Sequence, residues 1–435
     1  MNRSTSLHGG LPVPLMFIAA LAVSLVPALT LWVRGSANQL LFLLLLLALA
    51  ASAWRGRLAP QDRFVPVVRR WWPIWAALAG QFVAACISTV VVGLRDPRIF
   101  DDPSVLDTPL RLALFGPLLW LMLNLPPRWL RQIQWGCVAG ALICAGVLHH
   151  EIGLSADGRP NQILFSNLLP FSNVTLLLGV FSLMTIGWSD PATRRGKAGI
   201  ALKLLGGAAG LYVAYASGTR GGWLALGAFA AVFFFLMSGS VWRKLLAMAA
   251  LACALLAVYH ASDLVNQRVD EAYSELRDYR NGRDLDSSVG NRLQLWSAAL
   301  EVFEDHPLVG VSRQDYRRTM REAAAEGLIT RHAAEFRHSH NEFLFNLATL
   351  GILGGLAIAA AWLVPAFFFA RAARRGDRDG KVAGTMGLLL AIGFLVFGMT
   401  EVMFAMSMVA AFYTVMTAAL MAIVLRDSPD GPRAA

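Results

Sequence analysis

The sequence predicts an all-α polytopic integral membrane protein, and three observations support this prediction. Of the 435 residues, 56% are hydrophobic and only 15% are charged, which is too apolar for a soluble protein of this size. Apolar runs of about 20 residues, the length that a helix needs to cross a bilayer, recur along the chain. Short charged stretches separate these runs, which is typical of a helical bundle and not of a β-barrel.

The apolar runs predict about twelve transmembrane helices. Arginine-rich loops alternate with mixed-charge loops between them, and arginine-rich loops face the cytoplasm in membrane proteins. This alternation places both termini in the cytoplasm. The apolar run 12–33 has no clear small-residue cleavage site, which favours a retained first span over a cleaved signal peptide. The predicted spans are residues 12–33, 39–54, 71–93, 109–126, 133–149, 163–188, 198–217, 222–238, 245–261, 343–370, 382–400 and 404–425.

The longest polar region, residues 262–342, lies between the ninth and tenth spans and is predicted to be an external helical domain. Stretches 263–280, 290–307 and 312–327 have the apolar spacing of amphipathic helices, and Ser312 is a candidate N-cap of the third. The chain therefore divides into nine spans over residues 1–261, this insertion, and the last three spans with a cytoplasmic tail over residues 343–435.

Composition and motifs exclude several functions. The net charge of +10 resides mainly in arginines of short loops, so the positive-inside rule explains it and no nucleic-acid partner is predicted. No G-x-x-x-x-G-K-[ST] phosphate loop is present, which disfavours a nucleotide-driven pump. Two D-x-D pairs, at 284–286 and 377–379, lie in charged loops where such pairs are common by chance. We therefore predict neither a metal nor a nucleotide cofactor.

The candidate general bases, His338 and His340, lie at the end of the polar region, just before the tenth span. Histidine suits proton transfer near neutral pH. In a helix, two residues at this spacing face different sides, so a shared metal is not expected unless the segment is extended. His340 would share a helical stripe with Leu344, Leu347 and Gly351 and so face the bundle, which favours it as the base. The alternative is a polar cap on the tenth helix.

Three arginines on the predicted external side are candidates for binding an anion. Arg220 lies in SGTRGGWL between two spans, Arg292 begins the second external helix, and Arg159 lies in GRPNQ. A guanidinium binds phosphate through paired hydrogen bonds. The alternatives are a membrane-surface anchor for Arg220 and a solvated helix arginine for Arg292. Glu401, between the last two spans, either orients one of these groups or is a solvated turn residue.

The motifs and their order resemble the bacterial O-antigen ligase and polymerase superfamily of membrane glycosyltransferases. His340 and Asn341, followed after nine intervening residues by Gly351-x-x-Gly354, match the H-N-x9-G-x-x-G pattern of its ligases. The SGTRGGWL hairpin, the NRLQLWSAAL stretch followed by HPLVGV, and the large loop before the histidines also match. The resemblance covers residues 217–355.

This resemblance implies a C-type-glycosyltransferase-like fold and a ligase in the bacterial inner membrane. Such an enzyme transfers O-antigen polysaccharide from undecaprenyl diphosphate to a sugar hydroxyl of lipid A-core at the periplasmic face, with inversion and without metal or nucleotide. His340 would be the general base, and Arg220, Arg292 and Arg159 would bind the diphosphate. Contacts to the acceptor or to the base would come from the remaining candidates, His338, Asn341 and Glu401.

Three other functions remain open from the sequence. An O-antigen polymerase and a protein O-oligosaccharyltransferase share the donor and differ in the acceptor, which these motifs do not encode. The modest external region favours the ligase. A transporter of a lipid-linked anion would use the arginines as a transit site, but such proteins often carry charges and broken helices deep in the membrane.

Overall fold

In the part of the chain that the structure describes, the protein is built from α-helices and one two-stranded hairpin. The computed structural model describes residues 11–54, 58, 62–155, 160, 162–237 and 239–426. The strands β1 (Gln162–Ile163) and β2 (Ser166–Asn167) pair antiparallel. The helices are α1 (Val13–Leu29), α2 (Ser36–Ala53), α3 (Phe64–Arg70), α4 (Trp72–Gly93), α5 (Asp107–Ala113), α6 (Phe115–Leu123), α7 (Pro127–Leu130), α8 (Ile133–Leu154), α9 (Leu168–Met184), α10 (Arg194–Ala216), α11 (Arg220–Leu236), α12 (Val241–Ala261), α13 (Asp263–Arg280), α14 (Ser288–Asp305), α15 (Tyr316–Ala325), α16 (Glu342–Arg375), α17 (Arg378–Gly398) and α18 (Ser407–Arg426).

The predicted fold class, an all-α polytopic membrane protein, is confirmed. Within the described residues, nine helical segments have the length and apolar composition needed to cross a bilayer, and α1 and α11 are shorter apolar helices. A helix occupies each of the twelve predicted spans, with α5 and α6 together filling the fourth. The predicted amphipathic stretches 263–280, 290–307 and 312–327 overlap α13, α14 and α15. The domain boundaries proposed around them stay a prediction.

The last helix, α18, forms the centre of the bundle. Every residue of its apolar stretch is buried inside the protein, and it packs against α17, α6, α5 and α2. A helix that is apolar on all sides is stable only when other helices or lipid surround it completely. The hydroxyl of Tyr413 donates to the carbonyl of Ala361 at 2.8 Å and ties α18 to α16. We call the side of the bundle that carries α13, α14 and α15 the insertion side.

Helix α16 is interrupted by a segment of the insertion. Gly351 has φ 64° and ψ −157°, so the helix breaks there. The segment 307–312 enters the break: Val311 and Ser312 donate their N–H groups to the carbonyls of Ala348 and Thr349, at 3.1 and 2.9 Å. The N–H of Ile352 donates to the carbonyl of Pro307 at 2.8 Å. Backbone groups freed by a broken membrane helix require partners, and this segment supplies them.

Two glycines allow the segment 307–312 to enter the break in α16. Gly310 also has φ 64°, and a Cβ atom there would lie 2.3 Å from the carbonyl carbon of Thr349. A Cβ atom on Gly351 would lie 2.3 Å from the carbonyl carbon of Leu308. Any larger residue at either position would collide with backbone, which cannot rotate away as a side chain can. Gly351 therefore does not continue the helical stripe that the sequence predicts; it permits a break in α16.

The third insertion helix begins later than the sequence predicts. The position before its first residue, Tyr316, is occupied by Asp315, and no side chain caps this end. Ser312 instead has φ 69° and its N–H bonds to α16. The predicted Ser312 cap is therefore wrong, because the tertiary bond to α16 takes this residue away from the helix end.

Candidate functional site

His340 stands just outside α16 and not on its helical stripe. The helix begins at Glu342, with Asn341 as its N-cap: Asn341 Oδ1 accepts from the N–H groups of Phe343 and Leu344 at 3.0 and 3.1 Å. His340 has φ 52°, in the left-handed region that few residues other than glycine adopt. The prediction that His340 shares a helical stripe with Leu344 is wrong. Because α16 begins only after the cap at Asn341, His340 is not part of the helix.

The imidazole of His340 pairs with a buried carboxylate. Its Nδ1 lies 3.1 Å from Oε2 of Glu401, and Glu401 is only 4% exposed. The N–H of Val402 donates to the other carboxylate oxygen at 3.0 Å. Among the described residues, His340 Nε2 has no hydrogen-bond partner. The alternative reading of Glu401 as a solvated turn residue is therefore wrong.

His338 converges on the same carboxylate. Its Nε2 lies 3.5 Å from Oε1 of Glu401, and its ring centroid lies 4.6 Å from that of His340. The two imidazoles come together because the segment before Asn341 is not helical, so the alternation of faces in a helix does not apply. His338 Nδ1 is buried and has no partner within the described part of the chain.

The protonation states of this cluster follow from burial and charge. Burial lowers the pKa of His338 to about 4, although the charge of Glu401 opposes this shift. Burial alone would raise the pKa of Glu401, but the hydrogen bond with His340 and the charges of both imidazoles lower it to about 2. At neutral pH Glu401 is therefore a carboxylate and His338 is a neutral imidazole.

The same three side chains have ligand types that suit a divalent transition metal. One nitrogen from each of His338 and His340 and one oxygen of Glu401 lie within 4.8 Å of one another. Two histidines and one carboxylate are a known zinc ligand set. The sequence argument against a shared metal assumed a helix, and the segment is not helical. The absence of a metal remains a prediction, and the arrangement equally suits a metal-free base oriented by a carboxylate.

Arg220 and Arg292 face one cavity on the insertion side, with a volume of about 430 Å³. Arg268 of α13 and Trp296 of α14 also line it, as does Thr400. Arg159 lies outside the described residues. Arg220 and Arg292 thus line the same cavity, and their binding of a diphosphate stays a prediction; Arg268 was not predicted.

Two of the cavity arginines, Arg220 and Arg268, form ion pairs with carboxylates of α13. Both terminal nitrogens of Arg220 donate to Glu275, at 3.3 and 3.2 Å. The Nη1 atom of Arg268 donates to Glu271 at 2.6 Å. Glu275 also accepts from the N–H of Val289 at 2.9 Å and so connects α13 to the start of α14. The spacing of residues 268, 271 and 275 puts these charges on one helix face. The same spacing is common in ion pairs on solvent-exposed helices, so it does not indicate a binding site by itself.

Arg292 connects the cavity to the histidine cluster. Its guanidinium is anchored by Ser288, whose hydroxyl and carbonyl accept from Nη1 at 2.6 and 3.0 Å. Burial lowers the pKa of Arg292, while the charges of Glu401 and Glu275 raise it and that of Arg220 lowers it. Arg292 is therefore within electrostatic range of the carboxylate that holds His340. The cavity wall also reaches Thr400, the residue before Glu401.

The cavity is rich in hydrogen-bond donors. Besides the paired guanidinium nitrogens, Arg292 Nε and Trp296 Nε1 are buried without a partner among the described residues. Unpaired buried donors cost free energy that an acceptor would recover. Three guanidinium groups and these donors in one cavity are chemistry suited to an anion with several oxygens.

Fold and site together define a polytopic membrane protein whose arginine-lined cavity adjoins a carboxylate–imidazole pair on one side of the bundle. Residues 205–359 match the family model described as O-antigen ligase. The resemblance found in the motifs is thereby confirmed over this part of the chain, which includes Arg220, Arg292 and His340. The match supports an activity of the O-antigen ligase and polymerase type, that is, a glycosyltransferase-like membrane enzyme.

A relative of this chain occurs in Haemophilus influenzae. It is 24% identical over 293 residues, which are 65% of this chain and 71% of the relative. It carries the name "Uncharacterized protein" and so adds similarity without an activity.

Proposed function

We propose that the protein is an O-antigen ligase. It would transfer O-antigen polysaccharide from undecaprenyl diphosphate to a sugar hydroxyl of lipid A-core. The observation that carries this proposal is the position of the His340–Glu401 pair beside a cavity lined by Arg220 and Arg292. One site thus offers a base for a hydroxyl and cations for a diphosphate, as a transfer between these two groups requires.

His340 is the general base in this proposal. Its Nδ1–H donates to Glu401, which fixes the ring and leaves the lone pair of Nε2 free to accept a proton. As the acceptor hydroxyl loses its proton to Nε2, its oxygen forms a bond to the anomeric carbon. The bond from this carbon to the diphosphate oxygen breaks, and that oxygen keeps the electron pair. Because attack and departure occur on opposite faces, the anomeric configuration inverts.

The arginines stabilise the departing undecaprenyl diphosphate. Positive groups placed where negative charge develops lower the barrier most when they are held in place beforehand. Arg220 and Arg268 are held by Glu275 and Glu271, and Arg292 by Ser288. A bound diphosphate would take over guanidinium nitrogens that these carboxylates now occupy. The resting ion pairs thus keep the arginines extended into the cavity until the donor arrives.

The proposed orientation places the insertion side in the periplasm of a bacterial inner membrane and both termini in the cytoplasm. It rests on the arginine-rich loops, which favour the cytoplasmic side. The lipid-linked donor would reach the cavity from the outer leaflet. No nucleotide would be required, because the lipid diphosphate itself is the activated leaving group.

Reconstitution tests the proposal directly. The purified protein would be incubated with undecaprenyl-diphosphate-linked glycan and, in separate reactions, lipid A-core, pilin or no second substrate. We expect glycan on lipid A-core, and a loss of roughly 10²–10⁴-fold for His340→Ala at unchanged thermal stability. Elongated donor alone would indicate a polymerase, and glycosylated pilin a protein O-oligosaccharyltransferase. Movement of the lipid-linked glycan across vesicles without transfer would indicate a transporter. Full activity of folded His340→Ala would refute His340 as the base.

A further inference from the structure

A second charged cavity lies on the side of the bundle opposite the insertion, where α11 and α16 end. Its volume is about 460 Å³. The walls come from two phenylalanines, one alanine and three arginines: Phe235, Phe367, Ala370, Arg371, Arg374 and Arg375. The proposed transfer site, at the start of these helices, does not use this cavity.

Within the described part of the chain, the three arginines of this cavity have no acidic partner. Among the residues that the structure describes, no carboxylate lies within 4.0 Å of their nitrogens. The two acids that follow them in the chain are engaged elsewhere. Asp377 accepts from the N–H of Gly380 at 2.7 Å and caps α17, and Asp379 binds Arg131 at 2.9 Å. The cavity therefore has an unbalanced positive charge.

The remaining wall is apolar and open. Phe367 is 65% exposed and Phe235 is 53% exposed, and they belong to the apolar helices α16 and α11. The guanidinium carbon of Arg374 lies 3.7 Å from the ring centroid of Phe235. This cation–π contact holds the charge beside the apolar surface.

We propose that this cavity binds the head group of an anionic glycerophospholipid. The phosphate would lie between the arginine side chains, which can bind its oxygens through paired hydrogen bonds. The first carbons of the acyl chains would cover Phe235 and Phe367. Basic pockets between transmembrane helices are suited to such lipids, whereas a soluble phosphate would leave the apolar wall uncovered. This inference does not depend on the proposed glycosyl transfer.

Native mass spectrometry of delipidated protein tests the site. Phosphatidylglycerol would be titrated against wild type and against the triple variant Arg371→Gln, Arg374→Gln, Arg375→Gln. The matched control replaces three exposed cations at the start of α10, Arg194→Gln, Arg195→Gln and Lys197→Gln, and so has the same net charge. We expect the cavity variant to bind phosphatidylglycerol at least about tenfold more weakly and the control to bind like wild type.

Two control ligands and one further variant complete the experiment. Phosphatidylcholine and inorganic phosphate should bind weakly to all proteins, because the first lacks net charge and the second lacks chains. Phe235→Ala removes the contact to Arg374 without changing charge and should also weaken binding if the triple variant proves unstable. Equal affinity of wild type, cavity variants and control for phosphatidylglycerol would overturn the proposal. Equal binding of phosphatidylcholine, or binding of phosphate alone with the affinity of the lipid, would overturn it as well.

Discussion

The imidazole Nδ1 of His340 lies 3.1 Å from the carboxylate of Glu401, a residue 61 positions later in the chain. The pair joins the loop before α16 to the turn between α17 and α18. Glu342, at the first turn of α16, strengthens this junction: its Oε2 accepts from the N–H of Phe404 at 2.9 Å. The geometry of the proposed base thus depends on two long-range contacts between the same two segments.

Replacing Glu401 tests whether the carboxylate orients the base. Glu401→Gln should lower the transfer rate by about 10²-fold or more, because an amide neither carries the charge that stabilises an imidazolium nor fixes the ring tautomer. Initial rates with saturating donor would measure the effect. Glu304→Gln, an exposed acid on α14, is the control and should retain wild-type rates. A wild-type rate for Glu401→Gln would show that the pair is structural only.

Replacing Glu275 tests whether carboxylates compete with the donor for Arg220. Glu275→Gln should lower the KM for the lipid-linked donor by about threefold, since a partly exposed ion pair contributes up to about 1 kcal/mol. Arg220→Lys should raise the same KM, because an ammonium cannot form two parallel hydrogen bonds to phosphate. Opposite changes in the two variants distinguish competition from loss of structure. An increase in KM for both would instead mean that the positioning of Arg220 by Glu275 outweighs the competition of Glu275 with the donor.

Gly351 should be intolerant of any side chain. Gly351→Ala should lower the free energy of unfolding by at least about 2 kcal/mol, because the new Cβ meets the backbone of Leu308 at a left-handed residue. Gly146→Ala is the matched control: it lies within α8 and a Cβ there meets nothing within 4 Å. The control should be neutral or slightly stabilised, since alanine favours helices. Thermal unfolding in detergent measures both, and equal stability of the two variants would contradict the clash.

Stability should fall as the pH decreases from about 6.5 to about 4, in part because of His338. Its pKa is 6.5 as a free side chain and about 4 in the fold, so the unfolded chain binds the proton more readily. The folded state is therefore favoured fully above pH 6.5 and loses on the order of 3 kcal/mol as the pH approaches 4.

The variant His338→Gln isolates this contribution to the pH dependence. Its thermal unfolding temperature should depend less on pH over the same range than that of wild type. His306→Gln, which replaces an exposed histidine, is the matched control. Parallel curves for wild type and His338→Gln would disprove the assignment.

The helices were predictable from the sequence because each span is a local apolar run, and their ends follow from charge. Arg220 was a candidate because glycines flank it, and Arg292 was a candidate because it lies at the start of a predicted helix. The pairing of His340 with Glu401 was not, since nothing local connects residues 61 positions apart. Arg268 was missed because its ion-pair spacing is that of an ordinary solvated helix face. The break at Gly351 was read as a helix because its cause is a distant segment.

The clasp formed by residues 307–312 inside α16 determines which part of the insertion can move. Helix α15 follows the clasp directly, so lifting it would pull hydrogen-bonded backbone out of a membrane helix. Helix α13, all of whose residues are described, buries none of them and is connected to the cavity through ion pairs. Under the proposed function, α13 is therefore the insertion helix whose replacement would disturb the His340–Glu401 pair least.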